Sequence, residues 1–291
     1  MKAPAFDYAR PASLAEVFAL METHGDEARV LAGGQTLLAT LNMRLSEPAL
    51  LIDIGAVDAL RGITVTNDTS PGTLRIGALV THREIEESPL VARHAPLLAM
   101  AAPHIAHRAI RNRGTFGGSI AYGDPAAEWP VCLTALDGVV VTTSASGERR
   151  IPVADFFIDL YTTALRADEL VAACEIPIAT AGDAFAFDEL ARRHGDYAIV
   201  GLAVAARFAE GRVERIRLAF LGAGSTPVRA GGAEAALVGC VLDAPSIDRA
   251  VAQVKAELDP PGDLVNGDAT KRHLASVLAR RALESLASRS A

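Results

Sequence analysis

The stretch Ile110-Arg-Asn-Arg-Gly-Thr-Phe-Gly-Gly-Ser-Ile-Ala-Tyr-Gly-Asp-Pro125 decides how this chain is interpreted, because it brings four glycines close together. Within it, Thr115-Phe116-Gly117-Gly118-Ser119 places two adjacent glycines before a short apolar segment. Paired glycines in a loop that opens a helix let backbone N–H groups approach an anion closely, and the helix start adds a positive dipole. The stretch therefore indicates a phosphate-binding loop.

A second Gly-Gly loop lies upstream, in Ala32-Gly33-Gly34-Gln35-Thr36. It follows the apolar run 29–32, which is typical of a buried strand, and precedes the apolar-rich segment 37–45. Such a loop alone turns the chain more often than it binds phosphate. Two of them in different parts of the chain favour one extended diphosphate ligand, held in a cleft between two subdomains.

Around the upstream loop, residues 1–56 have the pattern of a small α/β unit. Ser13 and Glu16 form a capping box, which predicts a helix that stops near Gly25. The apolar run 50–54 predicts a further buried strand.

Around the downstream loop, residues 57–177 predict a mixed α+β unit. Strand-like runs at 62–66 and 73–78 are joined by the turn cluster 67–72, which indicates a hairpin. Thr81 and Glu84 form another capping box, and 89–105 is rich enough in Leu, Ala and Met to be helical. Further strands are expected at 138–143 and 169–176.

The remaining residues, 178–291, predict a third unit. Two β-rich runs, 199–208 and 213–221, flank a turn. Near the end of the chain, Leu274, Leu278, Ala282 and Leu286 recur at helical spacing, so an amphipathic helix should pack on that sheet.

Composition excludes several classes of function. The net charge of -7 lacks the broad positive field that sequence-independent nucleic-acid binding needs. No apolar run of about 18 residues is present, and the residues after Met1 lack the order of a signal peptide, so we expect a cytoplasmic protein without a transmembrane segment. The three cysteines lie far apart, which fits neither a disulfide framework nor a metal cluster.

The two loops together resemble the flavin motifs of the FAD-binding subunits and domains of the xanthine dehydrogenase and aerobic carbon monoxide dehydrogenase family. That family's first motif usually ends in His-Ser or Asn-Thr, where this chain has Gln35-Thr36. Its second motif commonly reads Thr-Ile-Gly-Gly-Asn, and Ser119 replaces that asparagine here. The segments 111–114, 123–130 and 192–197 match as well, so the likeness covers essentially the whole chain.

The resemblance implies an α+β fold: two FAD-binding subdomains of the vanillyl-alcohol oxidase/PCMH-like type, then a C-terminal three-stranded antiparallel sheet with helices. Both loops would hold the pyrophosphate of FAD. Glu128, in place of the usual aspartate, would reach toward the adenosine end, and Tyr197 would lie beside the isoalloxazine. The cofactor-binding residues implied are Ala32, Gly33, Gly34, Gln35, Thr36, Thr115, Gly117, Gly118, Ser119, Tyr122, Asp124, Glu128, Leu170 and Tyr197.

By the same resemblance, the chain would accept electrons from the [2Fe-2S] clusters of a small subunit and pass them to a terminal acceptor. A molybdopterin-binding large subunit would oxidise the organic substrate, and the complex would be a dimer of heterotrimers. The cysteine-bearing insertion that holds a [4Fe-4S] cluster in some relatives is missing, so FAD would be the only redox group here. No catalytic or metal-binding residue is expected. Two alternatives stay open: a free-standing FAD-dependent oxidase or reductase acting directly on a small substrate, and an assembly module that has lost its flavin.

Other motifs have structural explanations. Leu221 to Pro227 resembles the start of a dinucleotide-binding fingerprint, but Pro227 takes the place of the third glycine, which favours a simple turn. The basic cluster 104–113 is expected to be solvated or paired with carboxylates, or, if functional, to face FAD phosphates or a partner subunit. Trp129 is expected in the core or at an interface.

Overall fold

The computed structural model describes residues 2–66 and 72–290, whose strands form four sheets with helices packed against them. The first sheet is parallel, with strand order β1-β3-β2. Its elements are β1 (Asp7–Ala9), α1 (Leu14–His24), β2 (Ala28–Leu31), α2 (Leu37–Asn42) and β3 (Leu50–Asp53). The predicted capping box of α1 is confirmed, because Ser13 Oγ accepts from the Glu16 N–H while the Glu16 carboxylate accepts from the Ser13 N–H. The helix ends at Gly25, as predicted.

The second sheet is antiparallel and has five strands in the order β4-β5-β10-β6-β7. Its strands are β4 (Ile63–Thr66), β5 (Thr73–Gly77), β6 (Val139–Ser144), β7 (Gly147–Pro152) and β10 (Leu170–Pro177), and β8 (Phe157–Asp159) and β9 (Thr162–Thr163) make a separate hairpin. The predicted pairing of β4 with β5 is confirmed, whereas residues 67–71 of their predicted turn lie outside the described residues.

Six helices connect β5 to β6 among the described residues: α3 (His82–Glu87), α4 (Pro89–His94), α5 (Pro96–Ala101), α6 (Arg108–Arg111), α7 (Phe116–Tyr122) and α8 (Glu128–Ala135). The segment 89–105 is helical as predicted, but it is not one helix. Pro96 and Pro103 stand in the first turns of α5 and of a short 3-10 turn, because proline cannot continue a preceding helix.

The third sheet is antiparallel, with strand order β11-β12-β13-β14. Its elements are β11 (Asp183–Leu190), β12 (Val200–Ala209), β13 (Arg212–Leu221), β14 (Val228–Arg229), α9 (Gly231–Leu237), α10 (Ala244–Glu257) and α11 (Asp268–Ser290). The three expected strands are therefore present with a two-residue fourth, because the turn after Leu221 returns the chain alongside β13. The amphipathic C-terminal helix is α11, whose Leu278 and Leu286 are buried in the core of this unit.

The hydrophobic cores run across the predicted units. Leu170 and Ala172 of β10 belong to the core beneath the first sheet. Ala203 and Leu221 of the third sheet belong to the core of the second unit. The three units are thus packed together through shared cores. The boundaries at 56/57 and 177/178 stay a prediction.

Candidate functional site

The first loop, Ala32 to Thr36, offers free hydrogen-bond donors. None of the described residues accepts a hydrogen bond from the backbone N–H groups of Gly33, Gly34, Gln35 or Thr36. Gly34 has a φ of 73°, a conformation that side chains rarely adopt. Because partly buried N–H groups normally find a partner, four consecutive free ones point to an acceptor outside the chain.

The second loop, Thr115 to Ser119, lies against the first. A Cβ atom at Gly33 would sit 2.9 Å from Gly114 Cα, and one at Gly118 would sit 3.7 Å from Ala32 Cβ. Glycine at 33 therefore permits the close approach of the two backbones. The sequence expectation that the two Gly-Gly loops share one cleft agrees with this arrangement.

The amides of the second loop are used within the protein. The N–H groups of Gly117 and Ser119 donate to Ala78 O at 2.9 Å and to Thr115 O at 3.1 Å. Gly118 N–H donates to Thr115 Oγ1 at 3.3 Å. The second loop is thus held by internal hydrogen bonds, and the free backbone N–H groups belong to the first loop.

Trp129 fixes the segment before the second loop. Its Nε1–H donates to His82 Nδ1 at 2.9 Å, while the His82 backbone N–H donates to Gly114 O at 2.9 Å. Burial lowers the pKa of His82 to about 4, so the imidazole is neutral and can accept this bond. The Trp129 ring also meets Phe116 edge-on, with ring centroids 5.4 Å apart. Of the two locations expected for Trp129, the core is the one observed.

The basic residues between 104 and 113 are largely paired with carboxylates, as expected. Arg111 is buried and donates through Nε to Glu86 Oε2 at 2.9 Å and through Nη1 to backbone carbonyls. Arg108 contacts Glu86 and Glu87. These ion pairs connect α6 to α3 and so fix the segment that precedes the second loop.

Acidic and aromatic side chains follow the second loop. Burial raises the pKa of Asp124, although the Ala126 N–H donates to its Oδ1 at 2.9 Å. Burial also raises the pKa of Glu128 to about 7. Tyr122 is half-buried at the end of α7, and Tyr197 is 72% exposed. Desolvation, and then charge interactions with Asp124, Tyr122 and Glu128, raise the pKa of Tyr197 even though its side chain is largely exposed.

Leu170 stands apart from these polar groups. It is buried at the start of β10, in the core against which Ala32 packs.

Glu189 was not expected from the sequence. Burial, and then repulsion from Glu128, raises its pKa to about 8, and its Oε2 has no partner among the described residues. Its Oε1 is 3.7 Å from Nδ1 of His104, whose pKa is lowered by burial. Both groups are therefore neutral near pH 7, and the contact is not an ion pair.

The turn after Leu221 is structural, as expected. Gly222 has a φ of 70°, and its N–H donates to Pro125 O at 2.9 Å. This bond fastens the third unit to the loop that carries Asp124. Within the described residues, no three histidine, cysteine, aspartate or glutamate side chains are grouped in a way that could hold a metal ion.

These features fit a dinucleotide with a diphosphate. Free amides meet the needs of phosphate, neutral carboxyls can both donate and accept, and exposed aromatic rings can cover a flat ring system. Residues 4–179 match the model of the FAD binding domain in molybdopterin dehydrogenase, and residues 185–286 match the CO dehydrogenase flavoprotein C-terminal domain. The chain belongs to the FAD-binding subunits of the molybdenum hydroxylases.

Relatives of this family resemble the chain over most of its length. It is 41% identical over 261 residues to the 6-hydroxypseudooxynicotine dehydrogenase complex subunit alpha of Paenarthrobacter nicotinovorans, covering 89% of this chain and 87% of that protein. It is 40% identical to the nicotine 6-hydroxylase medium subunit of the same organism, covering 97% and 98%. The fold matches a chain of carbon monoxide dehydrogenase from Hydrogenophaga pseudoflava with a TM-score of 0.94 and 37% identity, covering all of both chains.

Membership in this family makes the chain an FAD-binding oxidoreductase subunit. The relatives are subunits of multi-subunit enzymes, which favours this interpretation over a free-standing oxidase. In the described part of the chain, no helix is both long and apolar enough to cross a membrane.

Proposed function

We propose that this chain is the electron relay of its complex. It receives electrons from the [2Fe-2S] clusters of a small subunit, while a molybdopterin-binding large subunit oxidises the organic substrate. Bound FAD supplies the redox chemistry, because a flavin can take up electrons singly or in pairs. The chain's own residues bind and orient the cofactor and limit its contact with water. A dimer of heterotrimers and a cytoplasmic location stay predictions.

The observation that carries the proposal is the row of four free amides in the first loop, beside the second loop. The N–H groups of Gly33, Gly34, Gln35 and Thr36 bind the pyrophosphate. Ser119 adds a hydroxyl, for which no described residue provides a hydrogen-bond partner. Thr115 and Gly117 keep the second loop in place through their internal hydrogen bonds.

The other predicted residues divide by chemistry. Glu128, whose pKa is raised to about 7, can donate as well as accept hydrogen bonds toward the polar parts of FAD, and Asp124 can accept them. Tyr122 and Tyr197 offer aromatic surface to the isoalloxazine, and Leu170 closes the apolar side of the cleft beneath Ala32.

The glycines of the loops test this assignment. Gly34→Val introduces a side chain at a φ of 73° and places Cβ 3.1 Å from Leu38, so the first loop must move. Gly118→Val places Cβ 2.7 Å from Thr115 Oγ1, where the second loop lies against the first. We expect each variant to be purified with most of its flavin absorbance missing.

Gly239→Val is the matched control. Gly239 has a φ of 79° with open space around it, so valine adds the same backbone strain, about 1–2 kcal/mol, away from the cleft. The control should keep its FAD. Stoichiometric FAD in both loop variants would overturn the assignment of the pyrophosphate site.

A further inference from the structure

Two tyrosines, Tyr122 and Tyr161, pack against each other after the second loop. Tyr122 lies at the end of α7, and the ring of Tyr161 is tilted against it, with centroids 5.0 Å apart and planes at 50°. Desolvation, and then charge interactions with Asp124, Tyr122 and Tyr161, raise the pKa of Tyr197, although its side chain is largely exposed. Tyr161 was not among the residues expected from the sequence.

The backbone holds Tyr161 in an unfavourable conformation. Leu160 and Tyr161 connect β8 to β9, and Tyr161 has a φ of 52°. Glycine or asparagine is the usual residue at such a turn position, because a Cβ atom is crowded there. A bulky aromatic residue at a strained position suggests that its ring has a role beyond the turn.

Packing against α7 holds the hairpin that carries this ring. A Cβ atom at Gly123 would lie 2.9 Å from Thr163 Cγ2, so β9 packs tightly on the end of α7. Within the hairpin, the Leu160 N–H donates to Asp159 Oδ1 at 2.8 Å. The position of Tyr161 is therefore set by the packing of its hairpin on α7.

The aromatic surface at this place is open. Tyr161 is 52% exposed and Tyr197 is 72% exposed, beside the Asp124 carboxyl. Aromatic rings pack favourably against other flat ring systems in offset or tilted arrangements. The isoalloxazine is the flat group that the proposed function brings to this cleft.

We infer that Tyr161 is a flavin-positioning residue, whose ring forms with Tyr122 an aromatic surface that contacts the isoalloxazine. This inference rests on the proposed function and adds to it a residue that no flavin motif contains. It also explains why a strained tyrosine stands at the tip of the hairpin.

Tyr161→Gly separates a cofactor role from a structural one. Glycine removes the ring and also relieves the strained backbone, so the apoprotein should unfold at the same temperature as the parent or higher. FAD affinity should fall by about tenfold. The fluorescence of bound flavin should rise, because a stacked tyrosine no longer quenches it. Tyr161→Phe, which keeps the ring, should bind FAD within about twofold of the parent.

Glu210→Gly is the matched control, because Glu210 has a φ of 51° in the exposed turn between β12 and β13. It should relieve the same strain without changing FAD binding. The measurements are FAD titration of the full-length apoprotein, flavin fluorescence and the thermal midpoint. If Gly34→Val abolishes FAD binding while Tyr161→Gly binds FAD with parental affinity and fluorescence, the inference is wrong and the proposed function stands. If the parent chain binds no FAD, both are wrong.

Discussion

Glu189 and Glu234 both have buried carboxyl groups, but the two differ in their hydrogen-bond and ion-pair partners. Glu234 accepts from the Leu218 N–H at 2.9 Å and pairs with Arg229, so its charge is compensated. Glu189 has only the 3.7 Å contact with His104 and one oxygen without a partner among the described residues. Burial without a partner disfavours the charged form of a carboxyl, which raises its pKa and keeps it protonated.

The neutral carboxyls predict how stability depends on pH. Glu128 and Glu189 have pKa values raised from 4.5 to about 7 and about 8. Between pH 4.5 and these raised values, the folded chain therefore holds protons that the unfolded chain releases. Their contribution to stability is complete below pH 4.5 and is lost as the pH rises toward 8. Each carboxyl contributes a slope of at most about 1.4 kcal/mol per pH unit. Glu189→Gln should flatten the decline.

Urea unfolding of the apoprotein at several pH values between 5 and 8.5 measures this slope. Glu47→Gln is the control, because Glu47 is exposed in a loop before β3. It should leave the decline as it is in the parent. A decline of the same steepness in Glu189→Gln would mean that this carboxyl is already ionised in the folded state.

Residues of the glycine motifs could be predicted from sequence because their function depends on neighbours in the chain. Gly33 and Gly34 can be interpreted without knowledge of the fold, since adjacent glycines indicate a tight turn. Glu189 and Tyr161 carry no such signal. Glu189 becomes unusual only because Glu128 and His104, which are remote in sequence, pack near it.

Among the helices and strands, helix starts were predicted best, because capping residues can be recognised in the sequence. Both predicted capping boxes are present, at Ser13 and at Thr81. The strand β7 was not predicted, because its sequence Gly-Glu-Arg-Arg-Ile-Pro has no apolar run. It pairs with β6 along its whole length, and Arg149 and Arg150 form ion pairs with Glu169 and Glu175, which are remote in sequence.

The pairing of α3 with α6 leads to a prediction that compares two adjacent residues. Glu86→Ala removes the partner of the buried Arg111 and should lower the free energy of unfolding by about 3 kcal/mol, because a buried charge is left without compensation. Glu87→Ala removes an ion pair with Arg108 whose side chains are both about half exposed. It should lower that free energy by less than about 1 kcal/mol.

Urea unfolding of the two variants side by side makes the comparison. Because α6 leads into the second loop, Glu86→Ala should also weaken FAD binding, whereas Glu87→Ala should not. Equal losses of stability in the two variants would show that the Arg111 pair does not anchor this region.

In the whole molecule, shared hydrophobic cores join the three predicted units. The first loop belongs to the first unit, the second loop to the second, and Tyr197 to the third. Sequence patterns predicted the units but not their shared cores, because the burial of Leu170 beneath the first sheet depends on packing between distant segments. The two Gly-Gly loops predicted one diphosphate ligand between subdomains, and the family resemblance identified that ligand as FAD.

In the proposed relay, this chain takes its electrons from a protein partner. The direct measurement mixes the oxidised, FAD-loaded chain anaerobically with small subunit whose [2Fe-2S] clusters have been reduced with dithionite and freed of excess reductant. The flavin absorbance should bleach as the partner's clusters reoxidise. The isolated chain should keep its absorbance when given the organic compound that the complete complex oxidises. Rapid bleaching by that compound alone, or no bleaching by the reduced partner, would contradict the relay.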